Sequence, residues 1–180
     1  LSAIIEDEDD IYEVSYSLKL NKRKIILNGK EVKDRKELIY LFPCIVFTHD
    51  DIDFIKGEPE MRRKFFDQTL SMYDPIYLNY IRSYRNILAQ RNAAIKNNQI
   101  SLLDIYDVKL ANLGFEIIKS RKTMVNEFNE IFPFLYKKIS GTEKNITVNY
   151  RSSWEEKENP NQIIEYLKET HDRDIKLLTT

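Results

Sequence analysis

The chain has 180 residues, 42% apolar and 32% charged, with 28 lysines and arginines against 29 aspartates and glutamates. That is enough to bury the core of one domain or of two small lobes. The single cysteine, Cys44, excludes an intrachain disulfide and suits a buried thiol in a reducing compartment. The longest apolar run, Leu38 to Phe47, is interrupted by Pro43 and falls well short of the ~18 residues a membrane span needs. The acidic start is unlike a secretory signal, so a soluble, cytoplasmic protein is expected.

The near-neutral total hides an uneven distribution. From Lys56 to Lys96 eight basic residues face four acidic ones, a net of +4, and the remainder carries −5. A polyanion at close range meets this local charge rather than the total.

In chain order, Ile11 to Leu20 alternates, with Tyr12, Val14, Tyr16, Leu18 and Leu20 on one face, the period of a half-buried strand. The acidic run Glu6 to Asp10 reads as the turn leading into it; a calcium loop would need spaced ligands and a glycine. Lys24 to Leu27 and Lys30 to Val32 flank Asn28-Gly29, the pair that best tolerates the two positive φ angles of a type I′ hairpin turn. An antiparallel meander is therefore predicted for the N-terminal third. Asp34 with Glu37 has capping-box spacing and opens a short helix through Leu41. Cys44 to Phe47 predicts a buried strand, and Thr48 with Asp51 opens one helical turn that ends at Gly57. His49, Asp50, Asp51 and Asp53 suggest a metal site, but neighbours on a helical turn point apart and His171 is the sole other histidine, so capping is the preferred reading.

Pro59 fits the first position of a helix whose predicted inner face carries Met61, Phe65, Phe66, Thr69 and Met72, with Arg62 inside that arc. Arg63 and Asp67 are four apart and can pair, for about 0.3–0.5 kcal/mol if exposed. Asp74-Pro75 starts the next helix, with a seam of Tyr77, Tyr80, Ile81, Tyr84, Ile87, Leu88 and Ile95. Arg82, Arg85 and Lys96 share one flank with Asn92 nearby, while Arg91 projects into the seam. A seam arginine must reach the edge or find a carboxylate. Two readings of Arg91 stay open: an ion pair with a carboxylate such as Asp67 or Asp51, and a ligand-facing role. Ser101 with Asp104 caps a third helix with Leu103, Tyr106, Leu110, Leu113, Ile117, Met124, Phe128 and Ile131 at spacings of three and four. Joined through Asn97 to Gln99, the two seams predict an antiparallel helical hairpin. Gly114 leaves room for close approach of another backbone, and Pro133 begins a further turn that Gly141 closes. Ile146, Val148 and Tyr150 predict a strand returning to a sheet. Asn159-Pro160 caps a helix with Ile163, Ile164 and Leu167 inward, and Ile175 to Thr180 predicts the start of another strand.

A phosphate-binding P-loop is absent from the sequence. The Gly29-Lys30 pair has Lys24 where the first glycine should be and Glu31 in place of the hydroxyl residue. There is no cysteine–histidine zinc pattern, Gly-x-Ser-x-Gly elbow or nucleophile with an evident base, so no catalytic, cofactor-binding or metal residue is assigned. What remains is a cationic set, Arg62, Arg63, Lys64, Arg82, Arg85 and Lys96, which could meet phosphates with help from Tyr80, Tyr84 and Gln90. The plain alternative is a solvated basic face.

Ile55-Lys56-Gly57-x-Pro59-x-x-Arg62-Arg63-Lys64-Phe65-Phe66-Asp67, then Asp74-Pro75-x-Tyr77 and Gln90-Arg91-Asn92, resembles the RecF family of bacterial recombination and repair proteins. The likeness is specific between about Ile45 and Lys96. Arg173-Asp174-Ile175-Lys176 fits more loosely, and the meander fits in element order alone. His49 stands where many members have proline. The resemblance implies a relative of SMC-type heads, an ABC-type ATPase that dimerises on ATP with Mg2+. It also implies binding at single-strand/double-strand DNA junctions, partnership with RecO and RecR in placing recombinase on gapped DNA, and a role in replication, recombination and the SOS response. The chain would then be an internal segment, after the Walker A loop and before the signature and Walker B motifs, with no ATP turnover of its own.

The expected fold is α+β: residues 1–55 as the β-rich part of the ATP-binding lobe, 56–141 as a helical hairpin lobe, and 142–180 as a returning strand, helix and further strand. Arg63, Lys64, Arg82, Arg85, Lys96 and Arg62 are the DNA-contact candidates; Arg91, Gln90, Asn92 and Asp67 are structural or interface candidates. The competing class is a non-catalytic helical module whose basic face meets an acidic protein partner.

Overall fold

Asn28 and Gly29 both take positive φ, 46° and 78°, the pair of signs a type I′ turn demands. The turn fixes the register on either side, with Leu27 opposite Lys30 and Ile26 opposite Glu31. A computed structural model describes residues 1–7, 10–20, 22–34, 36–42, 48 and 56–180. It divides into two compact units, Leu1–Thr48 and His49–Thr180, and its α+β class is the expected one.

The first unit is a four-stranded antiparallel sheet in the order β1 (Ser2–Asp7), β2 (Asp10–Lys19), β3 (Lys22–Leu27), β4 (Lys30–Glu31). The acidic run is not simply a turn: Glu6 and Asp7 end β1, and Asp10 opens β2 opposite Asp7. Leu1 to Ile5 carries no polar alternation to announce a strand, and in β1 Ile4 remains 71% exposed. α1 (Lys36–Leu41) starts where Asp34 predicts, its carboxylate accepting from the Lys36 amide at 3.1 Å and its carbonyl from that of Glu37 at 3.2 Å. Just past this helix the Phe42 ring packs edge-on against Tyr12, centroids 5.1 Å apart. The strand expected over Cys44 to Phe47, and the turn and metal alternatives over residues 49–55, lie outside the described residues.

The second unit is helical. α2 (Pro59–Tyr73) and α3 (Pro75–Lys96) each begin with proline at the first turn, where its missing N–H costs nothing. The Asp74 carboxylate caps α3 through the Ile76 amide at 2.8 Å. Asn98 at φ 56° turns the chain, a 3-10 turn spans Ile100–Leu102, and α4 (Leu103–Ser140) runs back. Arg91 meets Asp107 near the tip and Tyr77 meets Arg121 farther down, so the hairpin is antiparallel, as predicted. Ser101 is not its cap: it lies within the 3-10 turn and caps no amide. Nor does Pro133 begin a separate turn. α4 continues through it for 38 residues, about 57 Å at 1.5 Å per residue, and Gly141 at φ 65° closes it.

The buried face of α2 differs from the expected one. Phe66, Asp67 and Ser71 are buried, whereas Met61 and Phe65 are 40% and 41% exposed. Burying Asp67 turns the helix away from the purely apolar stripe, for a reason given below. The main core joins Leu110, Ala111 and Ile118 of α4 to Trp154 and to Ile163 and Leu167 of α5 (Pro160–Glu169). Gly114 admits not a backbone but the Trp154 indole, since a Cβ there would lie 2.4 Å from Cζ3.

Among the described residues two expected strands do not form. Ile146 to Tyr150 makes no ladder with any of them. The first half of Ile175 to Thr180 instead belongs to α6 (His171–Leu177), whose first turn carries Asp172 and Asp174 and whose last carries Lys176, in accord with the helix dipole. Among the described residues no helix is long and apolar enough to cross a membrane.

Candidate nucleic-acid interface

The cations of α2 and α3 fall into two groups. Arg63, Lys64, Arg82, Arg85 and Lys96 are exposed. On a helix, positions 82, 85 and 96 lie within about 60° of one another, and 14 residues span about 21 Å, so the α3 flank is long enough to face several phosphates. Arg62 is half-buried and donates Nη1 to the Gly57 carbonyl at 3.0 Å, tying the approach of the chain to the first turn of α2. Gln90 is exposed and reaches Asn86. Tyr84, a suggested helper, packs edge-on against Trp154 with centroids 6.5 Å apart, and burial raises its hydroxyl above the usual tyrosine range.

Arg91 is fully buried, 0% exposed, and neither Asp67 nor any α2 residue pairs with it. Its Nε donates to Asp107 of α4 at 2.7 Å; its Nη1 donates to Asp174 of α6 at 2.8 Å and to the Thr180 hydroxyl at 2.9 Å. His171 Nε2 lies 2.5 Å from the second Asp107 oxygen, and Arg173 donates to Asp174 at 2.9 Å. Asn92 accepts from both the amide and the hydroxyl of Thr180, at 2.9 and 2.6 Å. Arg91 and Asn92 thus fasten the end of α6 to the hairpin tip. Asp104, Asp107 and His171 each bring a ligand atom within 4.8 Å of the others. Arg91 and His171 already hold both Asp107 oxygens, and a metal ion there would compete with a buried guanidinium.

A second network explains the orientation of α2. Arg121 of α4 grips Asp67 with two parallel bonds, Nε to Oδ1 and Nη2 to Oδ2, both 2.9 Å, the forked geometry that gives arginine–carboxylate pairs their strength. Tyr77 of α3 donates its hydroxyl to Asp67 at 2.6 Å, and Arg121 Nη1 reaches the Tyr150 hydroxyl at 3.4 Å. Burial raises the Tyr77 hydroxyl above its usual range; Arg121 opposes the shift and Asp67 adds to it. Asp67 is therefore held by Arg121, not by Arg63. Sequence spacing gives no access to Arg121, Asp107 or Asp174, whose partners are 54, 16 and 83 residues away. The one available signal was a lone arginine on an apolar seam.

No protein-family model matches the chain. It is 40% identical over 136 residues to the DNA replication and repair protein RecF of Treponema pallidum, covering 76% of this chain and 38% of that protein. It is 32% identical over 173 residues to the RecF of Leptospira interrogans, covering 94% and 47%, and 33% identical over 177 residues to that of Lachnospira eligens, covering 94% and 48%. The chain thus spans less than half the length of these curated relatives. Among solved structures, it superimposes on the recombination mediator protein RecF-ATPrS in the RecFOR pathway with a TM-score of 0.87 at 27% identity, over 99% of this chain and 51% of that one. The RecF-ATP structure gives 0.80 at 26% identity, over 94% and 48%.

Proposed function

Because the chain is a segment of the RecF family, we propose that it serves a DNA repair and recombination protein that binds single-strand/double-strand junctions or gaps as an ATP-gated dimer and helps to load recombinase. The observation that carries this reading is the continuous likeness to proteins named for DNA replication and repair, over 94% of the chain in two of them. In this reading ATP and Mg2+ are bound mainly by parts of the protein outside this segment, in agreement with the missing Gly-rich loop. RecR and RecO are the expected protein partners, in the cytoplasm. Residues 1–55 belong to the ATP-binding lobe, 56–141 form the helical lobe and 142–180 return from it. The segment supplies a basic surface and a lever between nucleotide and DNA.

Exposure makes Arg63, Lys64, Arg85 and Lys96 the DNA-contact residues to test first, with Arg82 beside them. Arg62 is engaged with the backbone of its own helix start, so its replacement would mix structural and electrostatic effects. In the full-length protein, Arg63→Glu with Lys64→Glu, and separately Arg85→Glu with Lys96→Glu, should weaken DNA binding and flatten its salt dependence by about 0.7–0.9 in log–log slope per lost phosphate contact. An unchanged slope for both pairs would reject the DNA role. If binding to an acidic protein were lost instead, the surface would be that of a protein-interaction module.

A further inference from the structure

The hairpin of β2 and β3 continues where its neighbours stop. β4 meets β3 at Leu27 and Ile26, and one further bond joins Val32 to Ile25. Among the described residues no third strand flanks the last three pairs of the hairpin, Ser17–Lys24, Leu18–Arg23 and Lys19–Lys22. At ~3.4 Å per residue these pairs form a two-stranded arm about 10 Å long. Its described residues, Ser17 to Leu20 and Lys22 to Lys24, are all exposed. Lys19, Lys22, Arg23 and Lys24 give it a charge of +4, with no acidic residue between Ser17 and Lys24. Lys24 lies 3.7 Å from Glu31, and among the described residues no carboxylate pairs with the other three cations.

The register distributes these charges. Directly opposed residues share a face and successive residues alternate, so Lys19, Lys22 and Lys24 lie on one face of the ribbon and Arg23 lies on the other with Leu18. Two features work against the arm's own stability. Lys19 is paired directly with Lys22, and like charges in that position repel. Leu20, at the turn, takes φ 47° and is 99% exposed, although hairpin turns fill left-handed positions with glycine, asparagine or aspartate. Neither feature adds packing to the sheet, and local rules broken without a structural gain mark a surface kept for function. Lysines also guard open sheet edges against association. A guarded edge, however, does not place a large apolar side chain at its exposed tip.

We propose that the arm Ser17–Lys24 is a DNA-contact site separate from the cations of α2 and α3, entering the major groove of duplex DNA tip-first. A two-stranded ribbon fits that groove, ~12 Å wide, and not the minor groove of ~6 Å. With cations on both of its faces, the arm meets phosphates on both walls of the groove, and Leu20 at the tip reaches apolar base edges such as the thymine methyl group. An acidic protein surface would supply the charge but not the matching channel. The inference rests on the DNA reading above and adds to it a site in the first unit.

The test uses the full-length protein and a plain DNA duplex. Lys19→Gln, Lys22→Gln and Arg23→Gln together should weaken binding to a ~30-base-pair duplex at least ~10-fold at ~0.1 M salt and lower the log–log salt slope by about 2–3, at ~0.9 per lost phosphate contact. On a duplex whose cytosines carry bulky C5 substituents, which fill the major groove, wild type and variant should bind within ~3-fold of each other. Amine labelling needs no variant: saturating wild type with the plain duplex should lower the reactivity of Lys19 and Lys22 at least ~5-fold. Equal affinity and slope in wild type and variant, or unchanged labelling of both lysines, would overturn the arm's role and leave it a guarded edge or a site for an acidic protein. Duplex binding by the wild type would still uphold the DNA reading in that case. A variant defect that persists undiminished on the filled-groove duplex would overturn the major-groove assignment, and a wild type that binds no duplex would overturn both readings. If the variant fails to fold, the labelling decides.

Discussion

Replacing Arg91 by methionine separates a core cation from a surface one. The guanidinium is 0% exposed between Asp107 and Asp174, themselves 0% and 1% exposed, and donates to both carboxylates and to Thr180. Methionine fills much of the same volume but removes the buried cation between the two carboxylates, leaving Asp107 only the partly exposed His171 and Asp174 only the partly exposed Arg173, a loss of about 3–5 kcal/mol for a broken buried pair. Urea unfolding followed by Trp154, the chain's single tryptophan, reads the helical core directly because the indole packs within it. At a slope of ~2 kcal/mol per M, the midpoint should fall by about 1.5–2.5 M. Arg85→Ala, at an exposed position, should change stability by about 0.5 kcal/mol or less. Replacing the triad together, Arg91→Met with Asp107→Leu and Asp174→Leu, should recover most of the loss, since an apolar substitute for a buried ion triad is often neutral or better. A midpoint shift below about 0.5 M for Arg91→Met, roughly 1 kcal/mol, would show that the triad does not hold the hairpin tip to α6.

Gly114→Ala places a methyl group 2.4 Å from the rigid indole of Trp154; a loss of about 1–3 kcal/mol is expected, with a shifted Trp154 emission spectrum as the local readout. Tyr77 gives a pH prediction. Its hydroxyl is raised in the folded protein by burial, with Asp67 adding to the shift. The folded chain therefore keeps a proton that the unfolded chain releases near pH 10. The corresponding stability is fully present below pH ~10 and is lost as the pH rises above it. Tyr77→Phe should flatten the alkaline limb of the stability profile while lowering stability near neutrality, where Asp67 loses its hydroxyl donor. An identical alkaline limb in both proteins would refute the assignment.

What could be read from the sequence was decided within a few residues. Asn28-Gly29, Asp74-Pro75 and Asn159-Pro160 each specify their turn or helix start through their own φ preferences or a cap two or three residues away, and each appears where expected. The α2 face was not legible, because an apolar stripe was available and the choice fell to Asp67, through Arg121 54 residues later. For Ile146 to Tyr150 the alternation correctly marked a half-buried side, but alternation records burial and not ladder partners. At Ile175 to Thr180 local β preference lost to a buried Asp174, which α6 delivers to Arg91.

The same distinction bears on the motifs that carried the family resemblance. Gln90-Arg91-Asn92 and Arg173-Asp174, read separately, meet in space: Arg91 binds Asp174, and Asn92 holds Thr180 just beyond α6. A buried arginine with two carboxylate partners tolerates few substitutions, because each change strands a charge, whereas a cation on a solvated flank can shift along its helix and still meet a phosphate. The residues most useful for recognising the family therefore need not be those that touch its ligand. If charge reversal at Arg85 and Lys96 lowers DNA affinity without moving the Trp154 unfolding midpoint, while Arg91→Met moves the midpoint first, the surface role and the core role lie on different residues of the same helix.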